Sequence, residues 1–208
     1  VRDRILLFGT GVPGEAYVNV TRCLGRSALD VLDVSEAELE GRRQMWAFFR
    51  FMRERLPGFA GARLEQSGSH IGVRESRRVI GRYVITAEDL IEGRSFSEPV
   101  ALGAYPVDVH SSTDATLQTA PLKARFYQIP REALIARRNE NLMVVGRCTS
   151  STSRGLAALR VSPIAMATGE AAGRLAALAS RSRQAPGDVP YRLLRPLLAL
   201  QAFGAASR

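Results

Sequence analysis

The sequence is short of the residue types that most readily betray a class. Its 208 residues include two cysteines, two histidines, one tryptophan and, among 29 basic residues, a single lysine, Lys123. Cys23 and Cys148 lie too far apart to suggest a disulfide scaffold and lack metal-ligand spacing. No apolar run approaches the roughly 18 residues that a membrane-spanning helix needs. Ile5–Phe8 is too short an apolar region for a secretory signal, so the expected compartment is the cytoplasm. Internal repeats and low-complexity tracts are missing too. The chain opens on Val1 rather than methionine, within what reads as a strand, which suggests the loss of an upstream segment.

What is present is an ordinary globular composition, 46% hydrophobic and 24% charged, with a net charge of +9. The length suits one large domain or two small ones. The basic excess invites a nucleic-acid reading, but its distribution opposes one. Arginines are spread along the chain, with no lysine-rich tail and no basic run interleaved with aromatics. Arginine's rigid fork of donors suits the carboxylates and phosphates of small ligands equally well. The expected partner is therefore a small, anionic molecule rather than a nucleic acid.

Local signals sketch a mixed α/β pattern. Ile5–Phe8 and residues 16–21 read as strands around a glycine-rich turn. Ser35 and Glu38 form a capping-box pattern ahead of a helix that stops at Pro57-Gly58. Leu39, Met45, Phe48, Phe49, Met52 and Leu56 give that helix a core-facing stripe. Val79–Thr86, Phe126–Ile129 and Leu142–Gly146 read as strands, the last one buried on both faces. Pro130 suits the first turn of a short helix, and Ser162-Pro163 caps a helix running to about Ala179. On that helix Ala165, Gly169, Ala172, Gly173 and Ala176 make a stripe of small residues, which close packing against a sheet or ligand would justify. A linker and a leucine-rich helical tail follow Arg183.

Gly9, Gly11 and Gly14 match G-x-G-x-x-G behind an apolar strand, with Asp30 and Asp33 downstream. That motif needs a helix to begin at the later glycines, and here a strand-like segment follows. Pro13 also removes an amide donor. A glycine-rich turn is the favoured reading, with NAD(P) binding through Gly9–Gly14 as an alternative function.

Three segments taken in order carry a resemblance. They are Ile71–Tyr83 with Thr86–Asp89, Ala104–His110, and Asn141–Cys148 continued by Leu159–Gly173. Together they resemble the C-terminal half of the FAD-dependent oxidoreductases related to the fumarate-reductase-like flavoproteins. The resemblance implies an α/β flavoprotein of two domains, with an α+β substrate domain and a Rossmann-like FAD domain completed by a returning strand and helix. It further implies a substrate domain at 1–136, the returning FAD segment at 137–182, and a linker with a helical tail at 183–208. The dinucleotide-binding half, with its own glycine fingerprint, would be a missing partner.

The same resemblance suggests roles. Gly146, Arg147, Cys148, Ser153, Leu159, Arg160 and Val161 would contact FAD, with Arg160 and Val161 at the flavin N1–C2=O edge. Arg74, Arg77 and Tyr105 would bind substrate, and Asp108, His110 and Arg78 would be catalytic. Asp108 and His110, two apart in a strand, share a face and suit a proton-transfer pair. The plainer alternatives are salt bridges for the arginines, with Glu75, Glu88 or Asp89 as partners of the 74–78 cluster, and a buried apolar role for Cys148. One departure stands out: Ser153-Arg154 occupies the place where the family pattern carries a His-Glu pair. A non-catalytic basic module that binds an anionic partner is the remaining alternative.

Overall fold

The computed structural model describes residues 5–110, 117–198 and 200. The chain divides into two compact units, the first comprising the residues up to Val73 together with the segment that begins at His110, the second Arg74–Val109 and the residues from Leu117 on.

In the first unit, β1 (Leu6–Gly9) pairs antiparallel with β2 (Ala16–Asn19), Gly9 opposite Ala16. Gly11 and Gly14 both adopt φ of 85° in the turn between them, a region that only glycine enters freely. Because a strand follows these glycines, no helix N-terminus meets a pyrophosphate there, and the nicotinamide alternative falls. Helix α1 (Val31–Arg55) begins earlier than the Ser35 capping pattern suggests. The Asp30 carboxylate accepts from the amides of Leu32 and Asp33 and so caps the helix first, leaving Ser35 inside it, its hydroxyl donating to the Val31 carbonyl at 2.8 Å. The helix ends at Leu56, immediately before Pro57-Gly58, as expected.

Apolar burial in this unit is thin: among its described residues the buried apolar side chains are Val20, Ala37 and Met52. Leu39, assigned to the core stripe, is 57% exposed. It lies two residues past Ala37, about 200° round the helix, and therefore on the opposite side. Polar contacts hold residues 67–71 against α1, with Glu38 accepting from the Ile71 amide at 2.7 Å and Arg42 donating to the Ser67 hydroxyl at 2.6 Å.

The second unit carries the main core. Strand β3 (Pro99–Gly103) pairs antiparallel with β6 (Tyr127–Pro130). Gly103 faces Tyr127, where an added Cβ would fall 2.4 Å from the ring, so this pairing requires glycine. Strands β4 (Val107–His110) and β5 (Leu117–Ala120) form a separate pair. Helix α4 (Ser162–Ser182) buries Ile164, Ala171, Leu175 and Ala179 in one cluster with Val100, Ala101, Tyr127 and Ile129 of the sheet. Helices α2 (Ala87–Ile91) and α3 (Ser153–Leu159) add Leu90 and Ala157–Leu159 to it. This mixed helix and strand content agrees with the α/β class.

Several local expectations change. Val79–Thr86 is extended but forms only isolated bridges, at Gly81 and Ile85. Its amides alternate between partners: Val79 and Ile85 donate to Cys148 and Ser150, whereas Arg82 and Tyr83 donate to Ile135 and Glu132. The consecutive amides of Arg82 and Tyr83 donate to the same side, which breaks the alternation a regular strand needs. Leu142–Gly146 likewise reduces to one antiparallel bridge, Met143 to Ile135, with Leu142 42% exposed rather than buried. Gly146, at φ of 70°, then turns the chain into a 3-10 turn through Cys148. Val161, not Ser162, occupies the N-cap of α4, because Pro163 already sits in the first turn. Gly169 and Gly173 meet no other heavy atom within 4 Å of an added Cβ, so nothing among the described residues packs closely on these two glycines, although Ala172 of the same stripe packs against the core. The tail forms only a short α5 (Tyr191–Leu194) followed by a 3-10 turn.

Helix α2 supplies one pH-dependent element. Thr86 and Asp89 form a reciprocal capping box, and Asp89 also accepts from the Tyr83 hydroxyl at 2.8 Å and from Arg94 at 3.1 Å. Burial pushes the Asp89 carboxyl up, but the hydrogen bonds from Thr86, Tyr83 and Arg94 outweigh it and hold the group below its ordinary value. A lowered folded pKa adds stability that is complete above the unfolded value of about 3.9. That stability is lost as the pH falls through the lower folded value. Thermal melting followed into acid should therefore show a loss that Asp89→Asn reduces, and an identical acid profile in the variant would refute the assignment.

Candidate functional site

The site grows from two segments that run side by side in the second unit. Residues 148–152 lie along residues 78–86, with Ile85 and Ser151 forming a parallel bridge. The Ser150 hydroxyl donates to the Tyr83 carbonyl at 2.7 Å, and the Thr152 amide to the Ile85 carbonyl at 2.8 Å. Glycines permit this closeness: a Cβ on Gly81 would lie 2.8 Å from Ser150 Cβ, and one on Gly155 would lie 2.9 Å from the Ile85 carbonyl oxygen. Thr152 then caps α3, its hydroxyl accepting from the Gly155 amide at 3.1 Å. This seven-residue helix has no start signal in the sequence, because it lacks a capping-box acid and has a glycine in its first turn.

At the start of α3, Glu75 and Arg78 meet Ser151 and Ser153 from a distant part of the chain. Arg78 Nε donates to the Ser151 carbonyl at 2.9 Å, and Arg78 Nη1 pairs with Glu75 Oε1. The other Glu75 oxygen accepts from the Ser153 hydroxyl at 2.9 Å. Both members of the Arg78–Glu75 pair are about three-quarters withdrawn from water, their side chains 25% and 30% exposed. Ser153 is thus anchored to Glu75.

At the far end of α3 a second group forms. Arg160 is the C-cap of α3, and Val161 opens α4. Arg160 Nη2 lies 3.4 Å from the Asp108 carbonyl oxygen, and the Tyr105 hydroxyl donates to Asp108 Oδ2 at 3.3 Å. Burial pulls the Arg160 guanidinium down, while Asp108, Glu75 and Tyr105 favour its charged form. Burial also pushes the Tyr105 phenol up, helped by the charge of Asp108 and opposed by Arg160 and Arg74. Tyr105 is therefore a neutral hydroxyl at ordinary pH, able to donate rather than to act as a base.

Other sequence candidates are placed differently. Arg74, Arg77 and Arg147 are exposed. Cys148 is an exposed thiol, not the buried apolar side chain of the alternative reading. Leu159 is 3% exposed within the core, so only its backbone is available to a ligand. His110 closes β4, but its side chain lies outside the described residues, as does any test of its pairing with Asp108. Glu75, which the sequence offers only as an ion-pair partner of the 74–78 cluster, joins the site as well. Its partner Ser153 is 78 positions away, a separation with no local signature.

Among the described residues no cluster of histidine, cysteine and acidic side chains is built to hold a metal. Among the described residues no helix is long and apolar enough to cross a membrane. No curated protein and no solved structure matches the chain. A family model does match, that of the FAD dependent oxidoreductases, over residues 3–198. A match running through both units and every segment of the site places the chain in the FAD dependent oxidoreductase family, whose cofactor is FAD.

Proposed function

We propose that this chain supplies the substrate side and the flavin-edge contacts of an oxidoreductase that transfers hydride or electrons through FAD, acting on a small anionic substrate in the cytoplasm. The observation that carries this reading is Arg160. It is a half-buried guanidinium at the junction of α3 and α4, beside Asp108 and next to a helix start with no side-chain cap.

The donor set suits FAD. Uncapped α4 amides carry the positive end of the helix dipole, and Arg160 adds a full charge beside them. Gly146, at φ of 70°, has open space where a side chain would stand, and exposed Arg147 adjoins it. The residues that would hold the group are therefore Gly146, Arg147, Cys148, Ser153, Arg160 and Val161, with the Leu159 backbone. When bound, FAD supplies the two-electron acceptor chemistry. The protein's part is to stabilise charge at the pyrimidine edge through Arg160 and the α4 amides. Arg74, Arg77 and Tyr105 would hold the substrate, Arg78 would face its anionic group, and Asp108 with His110 would handle the proton. Residues 1–136 act as the substrate domain and 137–182 as the returning part of the FAD domain. The dinucleotide-binding unit is supplied from outside these residues, since the glycine turn at Gly9–Gly14 leads into a strand.

The full-length gene product should purify yellow, and its denatured supernatant should release FAD. A colourless protein that fails to reconstitute with FAD would sink the reading. Salt-sensitive retention of such a protein on heparin would favour the basic-module alternative instead.

A further inference from the structure

We propose that Glu75 is a positioning residue that aims Arg78 at a carboxylate of the substrate, and that Ser153 locks Glu75 in place. This rests on the flavoenzyme reading for the identity of the site. Arg78 has three nitrogens, and two are committed: Nε to the Ser151 carbonyl and Nη1 to Glu75. Those two contacts fix the plane of the guanidinium, and among the described residues Nη2 has no hydrogen-bond partner, so it can donate to a ligand oxygen.

Glu75 is itself held from two sides. One oxygen meets Arg78 and the other accepts from Ser153, the first residue of α3. The hydroxyl is short, and its helix is pinned by the Thr152 cap and by the approach of Gly155 to Ile85. Arg78 is thus oriented by a rigid element, whereas a long side chain left free would pay rotamer entropy on binding. A carboxylate beside the arginine that contacts an anion also costs affinity by simple repulsion. Its presence there makes sense if orientation outweighs charge.

The sign of a substitution separates those two effects. Oxalate titrated calorimetrically into the full-length protein serves as a carboxylate probe and requires no bound flavin. If charge alone mattered, Glu75→Ala would bind oxalate more tightly. Positioning instead predicts about tenfold weaker binding in Glu75→Ala, the size of one lost coupling between neighbouring side chains. Glu75→Gln loses the charge, but its amide oxygen can still accept from Arg78 while its NH2 donates to the Ser153 hydroxyl, so it should bind at least as tightly as the parent. Ser153→Ala should weaken binding about threefold, and it carries the test should Glu75→Ala not fold. Unchanged or tighter binding in both alanine variants overturns the proposal, as does a parent protein that binds no oxalate. Flavin content of the same preparations is measured separately, so a colourless parent discredits the flavoenzyme reading without deciding the role of Glu75.

Discussion

Arg131→Ala should destabilise the second unit by about 3 kcal/mol, the lower end of what removing one partner of a buried ion pair costs. Arg131 is 6% exposed, follows β6 directly, and reaches two separate places. Its Nη2 pairs with Glu98 at 2.5 Å, just before β3, and its Nη1 donates to the Val189 carbonyl at 2.6 Å, just before α5. One guanidinium thus ties the β3–β6 pair to the chain entering the C-terminal helix. Alanine would leave the Val189 carbonyl, in a residue 1% exposed, without its donor. Glu98, whose side chain is 32% exposed, can recover some hydration, which is why the lower end applies. Urea unfolding should show a lower midpoint with an unchanged slope. A midpoint within error of the parent would mean the pair contributes no net stability. Arg131→Met, which keeps the volume and removes the charge, should cost less than alanine.

In the flavin-loaded protein, Arg160→Ala should lower the two-electron midpoint potential by about 30–60 mV. A hydrogen bond to a charged group is worth about 1.5–3 kcal/mol, and 30 mV corresponds to about 1.4 kcal/mol for a two-electron couple. A cation placed at the pyrimidine edge would favour the anionic reduced ring more than the neutral oxidised one. Asp108 and Glu75 act on Arg160 and temper that field. Asp108→Asn should therefore move the potential the other way, upward. Opposite signs for the two substitutions are the signature sought. A potential that falls for both, or moves for neither, would remove Arg160 from the flavin edge. The alanine variant should also bind FAD more weakly, since the same contact serves both redox states in part.

Some features were legible because their causes are local. The hairpin at Gly9–Gly14 follows from glycines that adopt positive φ and from the alternating segment after them. The end of α1 follows from Pro57-Gly58, and the first turn of α4 from Pro163, each acting on the adjacent backbone. Local signals also misled where a competing one stood nearby. Ser35 looks like a cap, but Asp30 offers a carboxylate one turn sooner. Val79–Thr86 and Leu142–Gly146 have strand composition, yet each finds only isolated bridge partners.

By itself the amino-acid order determined the family resemblance, the arginine-based charge, and the breakpoints set by glycine and proline. Only the tertiary structure decided which charges meet. Arg160 approaches Asp108 across 52 positions, and Ser153 approaches Glu75 across 78. Such contacts arise because residues 148–152 lie against 78–86, an approach that Gly81 and Gly155 allow by having no side chain. A glycine that permits contact leaves no periodic trace in sequence. The partner it admits is known only once the chain has folded back on itself.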